Sequence, residues 1–300
     1  MSSFGLFKFI IVGALVLCSL GLSALYADSA RIDGALAALH TLRSTLEDPE
    51  AMSSPTTYGW GVGTLNGFCQ ERLELIKSLS SEETNQLLAD RSLDSVDRHL
   101  VEIARAQKES PDTFTEVDKY YEKAWPILPG GGRYHVPQPP KVELTHLKPK
   151  YRLAWEWMLL APKYCGLAMQ EASGGALAAI GDPRSLEIFE LAYRGSARGG
   201  PPIASGFRIV DALGKFKHES LPQALESAQR MWQFAQTMVG KKAGADIVKP
   251  DFPDQVISHI ANYFPKDIVK SEAAKAAPGS ERAQFLSRIK QIQDEQGKTK

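Results

Sequence analysis

Cysteine is scarce in this chain, with three residues among 300. Cys69 and Cys165 stand far apart and lack the close spacing of paired zinc ligands, so the sequence indicates no zinc site. Two interpretations of this pair stay open: one disulfide, if the domain is exported, or two buried free thiols. Cys18 follows Leu17, whereas a small residue usually precedes a lipidated bacterial cysteine, so we expect no lipid anchor there.

An excess of charge of either sign is absent as well. The 35 Lys and Arg residues balance the 35 Asp and Glu residues, which gives a formal net charge of zero. A strongly basic balance is the electrostatic footprint of proteins that bind nucleic acid. The composition therefore gives no reason to expect a nucleic-acid partner.

Catalytic signatures are also missing. The chain lacks the Gly-x-x-x-x-Gly-Lys-Ser/Thr phosphate loop and the Gly-x-Ser-x-Gly elbow, because Ile203 stands where an elbow around Ser205 would need its first glycine. His218-Glu219 lacks the second histidine of a zinc-protease helix. We therefore assign no catalytic, cofactor-binding or metal-binding residue and expect no cofactor, and the sequence favours a role other than catalysis.

Charge is nearly absent from the amino-terminal segment, where Lys8 is followed by an uncharged run from Phe9 to Ala27. A signal-peptide core has about 7 to 15 apolar residues, whereas a membrane-spanning helix needs roughly 17 to 25. The run has the length of an anchor, but Leu25-Tyr26-Ala27 also resembles a cleavage site. The sequence thus favours a retained signal-anchor over a cleaved signal peptide, with a buried core helix as a third interpretation.

The charges around this run predict its orientation. Lys8 and the terminal amine precede it, while Asp28 and Asp33 follow it and Arg31 partly offsets them. The positive-inside rule then places the amino terminus in the cytoplasm and the bulk of the chain outside it. We expect a single-pass membrane protein, or a secreted or periplasmic protein if the leader is cleaved.

Residues 28–125 are predicted to be a helical region. An apolar stripe with spacings of three and four begins near Ser29. This stripe consists of Ile32, Leu36, Leu39, Leu42 and Leu46. Ser81-Glu82-Glu83 is typical of a helix start, and a further stripe from Leu93 to Ile103 predicts a helix with Ser92 as its cap.

Two stretches rich in glycine or proline interrupt this pattern. The glycines between Gly59 and Gly67 are not preceded by a strand, so a phosphate-binding loop is not favoured there. Residues 126–150 are rich in proline and glycine and are predicted to be a linker, or a strap on a neighbouring surface. His135 and His146 lie in this stretch, where solvent-exposed or packing histidines are more common than metal ligands.

After the linker, Tyr151 to Ala161 is apolar on nearly every face and predicts a short helix buried between neighbours. Ala176 to Leu186 then predicts an antiparallel helical hairpin. Gly181 can close the first helix in the left-handed conformation, Asp182 can cap the second, and Pro183 suits its first turn.

The apolar frame of this hairpin recurs later in the chain. A shift of 36 residues aligns six apolar positions of one unit with six apolar positions of a second unit, although the Gly-Asp-Pro turn does not repeat. Those positions are Ala176, Leu177, Ile180, Ile188, Phe189 and Ala192 in the first unit, and Ala212, Leu213, Phe216, Ala224, Leu225 and Ala228 in the second. The segment Ala176–Leu186 resembles the turn of a HEAT repeat, including the short HEAT-like type found in bilin lyases, and the resemblance spans about residues 166–235.

The HEAT resemblance implies an α-solenoid of stacked helical hairpins that binds other proteins, and it implies no chemistry. No bilin-lyase residue is carried over. Residues 151–300 are thus predicted to be a HEAT-like region, with a helix through Val256 to Phe264 and an amphipathic terminal helix from Ser280 as a cap. The whole chain is predicted to be all-α, with a membrane-targeting helix before the stack.

These features give two hypotheses of different classes. The first is a membrane-anchored or exported HEAT-like scaffold that binds an unidentified protein partner and meets the membrane through its amino-terminal helix. The alternative is an extracytoplasmic enzyme that uses His135, His146 or His218. Its site would lie between the two helical halves, which are residues 28–125 and residues 151–300. A structural component of an envelope complex is a third possibility.

Overall fold

A computed structural model describes residues 30–41, 44, 73–124, 141–160, 166–196, 203–243 and 246–298. The predicted leader, all three cysteines, the glycine-rich stretch 59–67 and His135 lie outside these ranges. Within the ranges, no helix is both long enough and apolar enough to cross a bilayer.

The described residues are almost entirely helical, as the sequence predicts. The α-helices are α1 (30–41), α2 (73–78), α3 (Ser81–Ala89), α4 (Ser95–Glu109), α5 (Pro111–Ala124), α6 (Arg152–Leu160), α7 (Gly166–Ile180), α8 (Leu186–Ser196), α9 (Ile203–Leu213), α10 (Leu221–Met238), α11 (Phe252–Tyr263), α12 (Lys266–Lys275) and α13 (Glu281–Lys298). Short 3₁₀ helices occupy Leu144–Leu147, Pro149–Tyr151, Pro183–Ser185 and His218–Ser220. A two-residue antiparallel pair, β1 (Lys242–Ala243) and β2 (Asp246–Ile247), joins α10 to α11 and has no counterpart in the sequence prediction.

The amino-terminal helices form as the apolar stripes predict, with one correction. Leu39 of α1 is buried, and α3 begins with a capping box in which Ser80 and Glu83 bond reciprocally. The predicted cap Ser92 is wrong, because the side chain of Asp94 accepts the amide hydrogen of Asp97 and α4 begins at Ser95. Asp and Ser are both good caps, so the sequence alone did not separate them.

Helix α6 lies at the junction of the two helical halves. Its residue Trp155 is fully buried, and the helix packs against α4 and α5 on one side and α7 and α8 on the other. The prediction of a buried helix is confirmed. The segment before it lies along the core through Val142 and Leu147, and the indole of Trp155 donates a hydrogen bond of 2.9 Å to the carbonyl oxygen of His146.

Beyond α6, each helix packs against the second helix along the chain. Helix α7 packs on α9, α9 on α11 and α11 on α13, while α8 packs on α10 and α10 on α12. The two sets form two layers, and their apolar residues belong to one continuous core. The apolar stripe of each helix faces this core.

The turn between α7 and α8 has the predicted local geometry. Gly181 adopts a φ of 76°, and the Asp182 side chain accepts the amide hydrogen of Arg184. The turn between α9 and α10 lies over it, because Lys217 Nζ donates to the Ile180 carbonyl at 2.8 Å and Ser220 Oγ donates to the Gly181 carbonyl at 3.1 Å. Consecutive turns are therefore joined at one edge of the stack.

Candidate functional site

The histidines of the enzyme hypothesis are not brought together in the described residues. His218 is exposed in the turn between α9 and α10, and His146 lines a cavity beside α5, the His146 cavity. This cavity has a volume of about 470 Å³. Its lining includes six charged side chains, Glu116, Lys119, Glu122, Lys123, Lys141 and Glu143, together with the imidazole of His146.

Within the His146 cavity, the imidazole faces a carboxylate that has another partner. His146 Nε2 lies 3.7 Å from Glu116 Oε2, and the Tyr151 hydroxyl donates a hydrogen bond to the same oxygen. That hydrogen bond lowers the pKa of Glu116 below its ordinary value, so Glu116 is an anion at neutral pH. Lys123 pairs with Glu143 at 3.7 Å. A carboxylate held ionised is a poor general acid, and because three lysines and three glutamates line the cavity, it has no strong preference for one charge.

A second polar centre is buried where α4, α6 and the α7–α8 turn meet. Glu156 is fully buried on α6 and receives three side chains: His99 Nε2 at 2.6 Å, Arg152 at 2.9 Å and the Ser185 hydroxyl at 2.5 Å. A buried carboxylate is stable only when such donors replace water. We call this cluster, with Glu102 and Asp182, the Glu156 network.

Arg152 extends the Glu156 network to the surface. Its Nε lies 3.4 Å from Asp182 Oδ2, and its guanidinium lies 3.9 Å from Glu102 Oε2. Asp182 in turn is bound by the side chain and amide of Arg184, which lowers the pKa of Asp182. Both carboxylate oxygens of Glu156 thus accept hydrogen bonds from the protein. The network joins the two helical halves and presents no free group of Glu156 to a substrate.

A third polar centre lies on an open groove between α9 and α11, the His259 groove. It has a volume of about 320 Å³ and is lined by Phe207 of α9 and by residues from Asp251 to Asn262 along α11. His259 Nδ1 lies 2.7 Å from Asp211 Oδ1, and Asp211 is 3% exposed. The imidazole also stacks on the ring of Phe207, with centroids 4.1 Å apart and planes 9° apart.

The imidazole of His259 is therefore held in one orientation by a hydrogen bond and by a ring stack. Its Nδ1 faces the buried Asp211, so the opposite ring nitrogen, Nε2, points away from α9. Among the described residues no hydrogen bond is made to Nε2, and it is not among the buried polar atoms that lack a partner. Nε2 is consequently open to the groove.

The rim of the His259 groove is acidic. Asp251 and Asp254 are both exposed, and among the described residues each side chain has one weak partner. Asp251 accepts from the amide of Gln255 at 2.9 Å, and Asp254 pairs with Arg288 at 3.2 Å, where both side chains are at least half exposed. Exposed pairs of this kind contribute little because water screens them.

Sequence reasoning did not find His259 or Asp211. The two residues are 48 positions apart and meet only because α9 packs on α11. One signal was present, since Asp211 is a lone acid among Ile209, Val210, Ala212 and Leu213 in a stretch that is otherwise buried. A charge in such a stretch requires a partner, but the sequence does not say which one.

Across the described ranges, no three His, Cys, Asp or Glu side chains are arranged to hold a metal ion. Comparisons of the chain with protein-family models, with curated proteins and with solved structures gave no match. What the chain does must therefore be inferred from the contacts described above.

Proposed function

We propose that this protein is a membrane-anchored or exported HEAT-like helical repeat protein that acts as a scaffold for another protein. The observation that carries the proposal is the layered packing of α7, α9 and α11 beside α8 and α10, with an open groove between α9 and α11. Stacks of helical pairs present extended surfaces that suit macromolecular partners. The groove would form part of that surface.

The joined turns support the same role. Lys217 and Ser220 bind the turn of the preceding helical pair, and Arg230 of α10 binds Glu190 of α8 through three hydrogen bonds of 2.7 to 3.0 Å. Such links between neighbouring pairs fix their relative orientation. A surface that is rigid before binding loses less conformational entropy when a partner is bound.

The location rests on the leader. An uncharged run from Phe9 to Ala27 has the length of an anchor, and the described part of α1 follows it in the sequence from residue 30. Retained as an anchor, the run would hold α1 and the helices packed on it next to the bilayer. Cleaved, it would release an exported scaffold.

Site-specific photocrosslinking of the full chain tests the scaffold role. A benzoylphenylalanine replaces Ser258 in the groove, and the control carries it at Lys270, an exposed residue of α12. We expect one discrete covalent adduct at position 258 that is absent at position 270. Adducts at neither position, or the same faint ladder at both, would count against a protein-binding groove.

Fractionation of cells that express the full chain tests the location. An intact amino terminus, measured by mass spectrometry on material that resists carbonate extraction, would establish the anchor. Loss of the segment ending at Ala27 together with soluble release would establish export. An unprocessed chain in the soluble cytoplasmic fraction would remove the membrane part of the proposal.

The alternative function is an extracytoplasmic enzyme with a site between the two helical halves. The observation that favours it is the His146 cavity, which places one histidine beside Glu116 and Glu143. Turnover of an ester, phosphoester or peptide substrate by the full chain that disappears in the His146→Gln variant would replace the scaffold proposal.

A further inference from the structure

The His146 cavity brings charges of both signs together in one space. It lies between one face of α5 and the segment from Lys141 to His146. Glu116, Lys119 and Lys123 share that face of α5, because spacings of three and four place residues on one side of a helix. Pockets that bind small molecules have volumes of about 300 to 1,000 Å³, and this cavity of about 470 Å³ lies within that range.

Glu116 is held in place although it lies near the surface. The hydroxyl of Tyr151, a residue that is only 4% exposed, donates a hydrogen bond to Glu116 Oε2. This donor acts whatever the protonation of His146, whose Nε2 lies 3.7 Å from the same oxygen. The other oxygen, Oε1, accepts no hydrogen bond from the described residues. The cavity therefore presents a fixed anionic acceptor, which suits an ammonium group.

Two of the three lysines in the cavity have no acid beside them. Lys123 pairs with Glu143 at 3.7 Å, whereas Lys119 and Lys141 form no ion pair with a described residue. Lys119 belongs to α5 and Lys141 to the opposite wall. Two unpaired ammonium groups on different walls suit a carboxylate that lies between them.

The cavity also has an apolar floor. Tyr120 lines it and is 6% exposed, and its ring packs edge-on against Trp155 with centroids 5.6 Å apart. The methylene groups of a ligand can contact such a ring. A ligand with a single charge would be attracted by one set of groups and repelled by the other, whereas a ligand with both charges satisfies both sets.

We propose that the His146 cavity binds a small zwitterion, a molecule in which methylene groups join one ammonium to one carboxylate. Its ammonium group would be bound by Glu116 and its carboxylate by Lys119 and Lys141, with the methylene groups over Tyr120. This site is separate from the groove between α9 and α11 and does not depend on the scaffold function.

Isothermal titration calorimetry of the full chain in detergent micelles at low salt tests the proposal. The ligands are glycine, γ-aminobutyrate and ε-aminocaproate, which differ in the separation of their two charges. Each is compared with an analogue that lacks the ammonium and one that lacks the carboxylate, such as butyrate and butylamine for γ-aminobutyrate. We expect saturable binding of at least one zwitterion and none of its two analogues at the same concentrations.

Variants with matched controls locate the binding. Glu116→Gln keeps an acceptor oxygen for the buried hydroxyl but removes the charge, and it should weaken binding about fivefold or more. Lys119→Gln combined with Lys141→Gln should have an effect of the same size. Glu219→Gln and Lys270→Gln, at exposed positions outside the cavity, should leave the affinity unchanged. Thermal unfolding of each variant checks that it is folded.

Three results would overturn the proposal. The first is the absence of saturable binding with all three zwitterions. The second is equal binding of a single-charge analogue, because one charge would then suffice. The third is unchanged affinity in either cavity variant, because the ligand would then bind elsewhere on the chain. Crosslinking at position 258 tests the scaffold separately, so either proposal can fail while the other stands.

Discussion

The ammonium group of Lys217 donates a hydrogen bond of 2.8 Å to the main-chain oxygen of Ile180, although the two residues are 37 positions apart. Ile180 is the last residue of α7, where the final carbonyl groups of a helix have no partner within the helix. The methylene groups of Lys217 also lie over Gly181, where an added Cβ would come within 2.6 Å of them. One side chain thus closes a helix in the preceding pair and covers its turn.

Lys217→Met should lower the free energy of unfolding by about 1 kcal/mol. Methionine keeps a stem of similar length over Gly181 and removes only the donor, so the loss reports the hydrogen bond. Chemical denaturation of the full chain measures it. Lys270→Met, at an exposed position of α12, is the control and should differ from the parent by less than about 0.5 kcal/mol.

Glu156→Gln should be the most destabilising change among those predicted here. The amide keeps the shape of the carboxylate but cannot neutralise Arg152, which is 6% exposed, and it places donors against the donors of His99 and Ser185. Removal of one partner from a buried pair costs about 3 kcal/mol or more, which for a domain of this size is on the order of 10 °C in Tm. Glu219→Gln, at an exposed position, should leave Tm unchanged.

The sequence predicted the parts of the fold that depend on neighbouring residues. Gly181, Asp182 and Pro183 specify their turn because each has a local conformational or hydrogen-bonding preference, and the apolar stripes of α1 and α11 follow from helical spacing. The sequence predicted Ser92 as the N-cap of α4 whereas the structure has Asp94, because two residues that cap helices well stand close together.

The polar centres could not be predicted in the same way. The Glu156 network joins α4, α6 and the α7–α8 turn, and His259 meets Asp211 only after α9 and α11 have packed. Contacts at such separations depend on how helices are arranged, which helical spacing does not encode. The HEAT-like resemblance stays a prediction, and it contains no information about a site.

Gly174 and Gly175 are adjacent in α7 and should respond oppositely to alanine. A Cβ on Gly174 would lie 2.8 Å from Cβ of Ala212 on α9, whereas a Cβ on Gly175 would meet no atom of the described residues within 4 Å. Gly175→Ala should stabilise the protein by about 0.5 to 1 kcal/mol through helix propensity. Gly174→Ala should cost about 1 to 3 kcal/mol for the overlap, and a Tm no lower than that of Gly175→Ala would contradict the close packing of α7 on α9.

Asp182→Asn should change how the free energy of unfolding depends on pH. Hydrogen bonds from Arg184, with the nearby charge of Arg152, hold the pKa of Asp182 below its ordinary value. The folded pKa is lower than the unfolded pKa, so this stabilisation is present above about pH 4 and is lost as the pH falls through the folded pKa.

Denaturation of the parent and of Asp182→Asn between pH 2 and pH 7 checks this. We expect the variant to be less stable by about 1 kcal/mol at pH 7 and the difference to shrink below about pH 4. A difference that stays constant across this range would assign the effect to the amide's geometry instead of the charge. Asp267→Asn, on exposed surface, controls for the change in net charge.

Tyr193→Phe should stabilise the protein, unlike most core substitutions. Tyr193 is 1% exposed on α8, its hydroxyl has no hydrogen-bond partner among the residues that the structure describes, and its ring contacts that of Phe234. Phenylalanine keeps the ring and removes a buried hydroxyl that is desolvated in the folded state. This change should raise the free energy of unfolding by about 1 kcal/mol. Burial also raises the pKa of Tyr193 above its ordinary value.

The folded pKa of Tyr193 lies above the unfolded pKa of about 10, so ionisation of this group leaves the free energy of unfolding unchanged below that pH. As the pH rises further the unfolded chain ionises first, and the free energy of unfolding falls. The gain from Tyr193→Phe should therefore be constant from pH 7 to pH 9 and grow above about pH 10. Tyr263→Phe, where the ring is 38% exposed, is the control and should show no such growth. A loss of stability in Tyr193→Phe at pH 7 would mean that the hydroxyl has a partner after all, because only a lost hydrogen bond would outweigh the relief of burial.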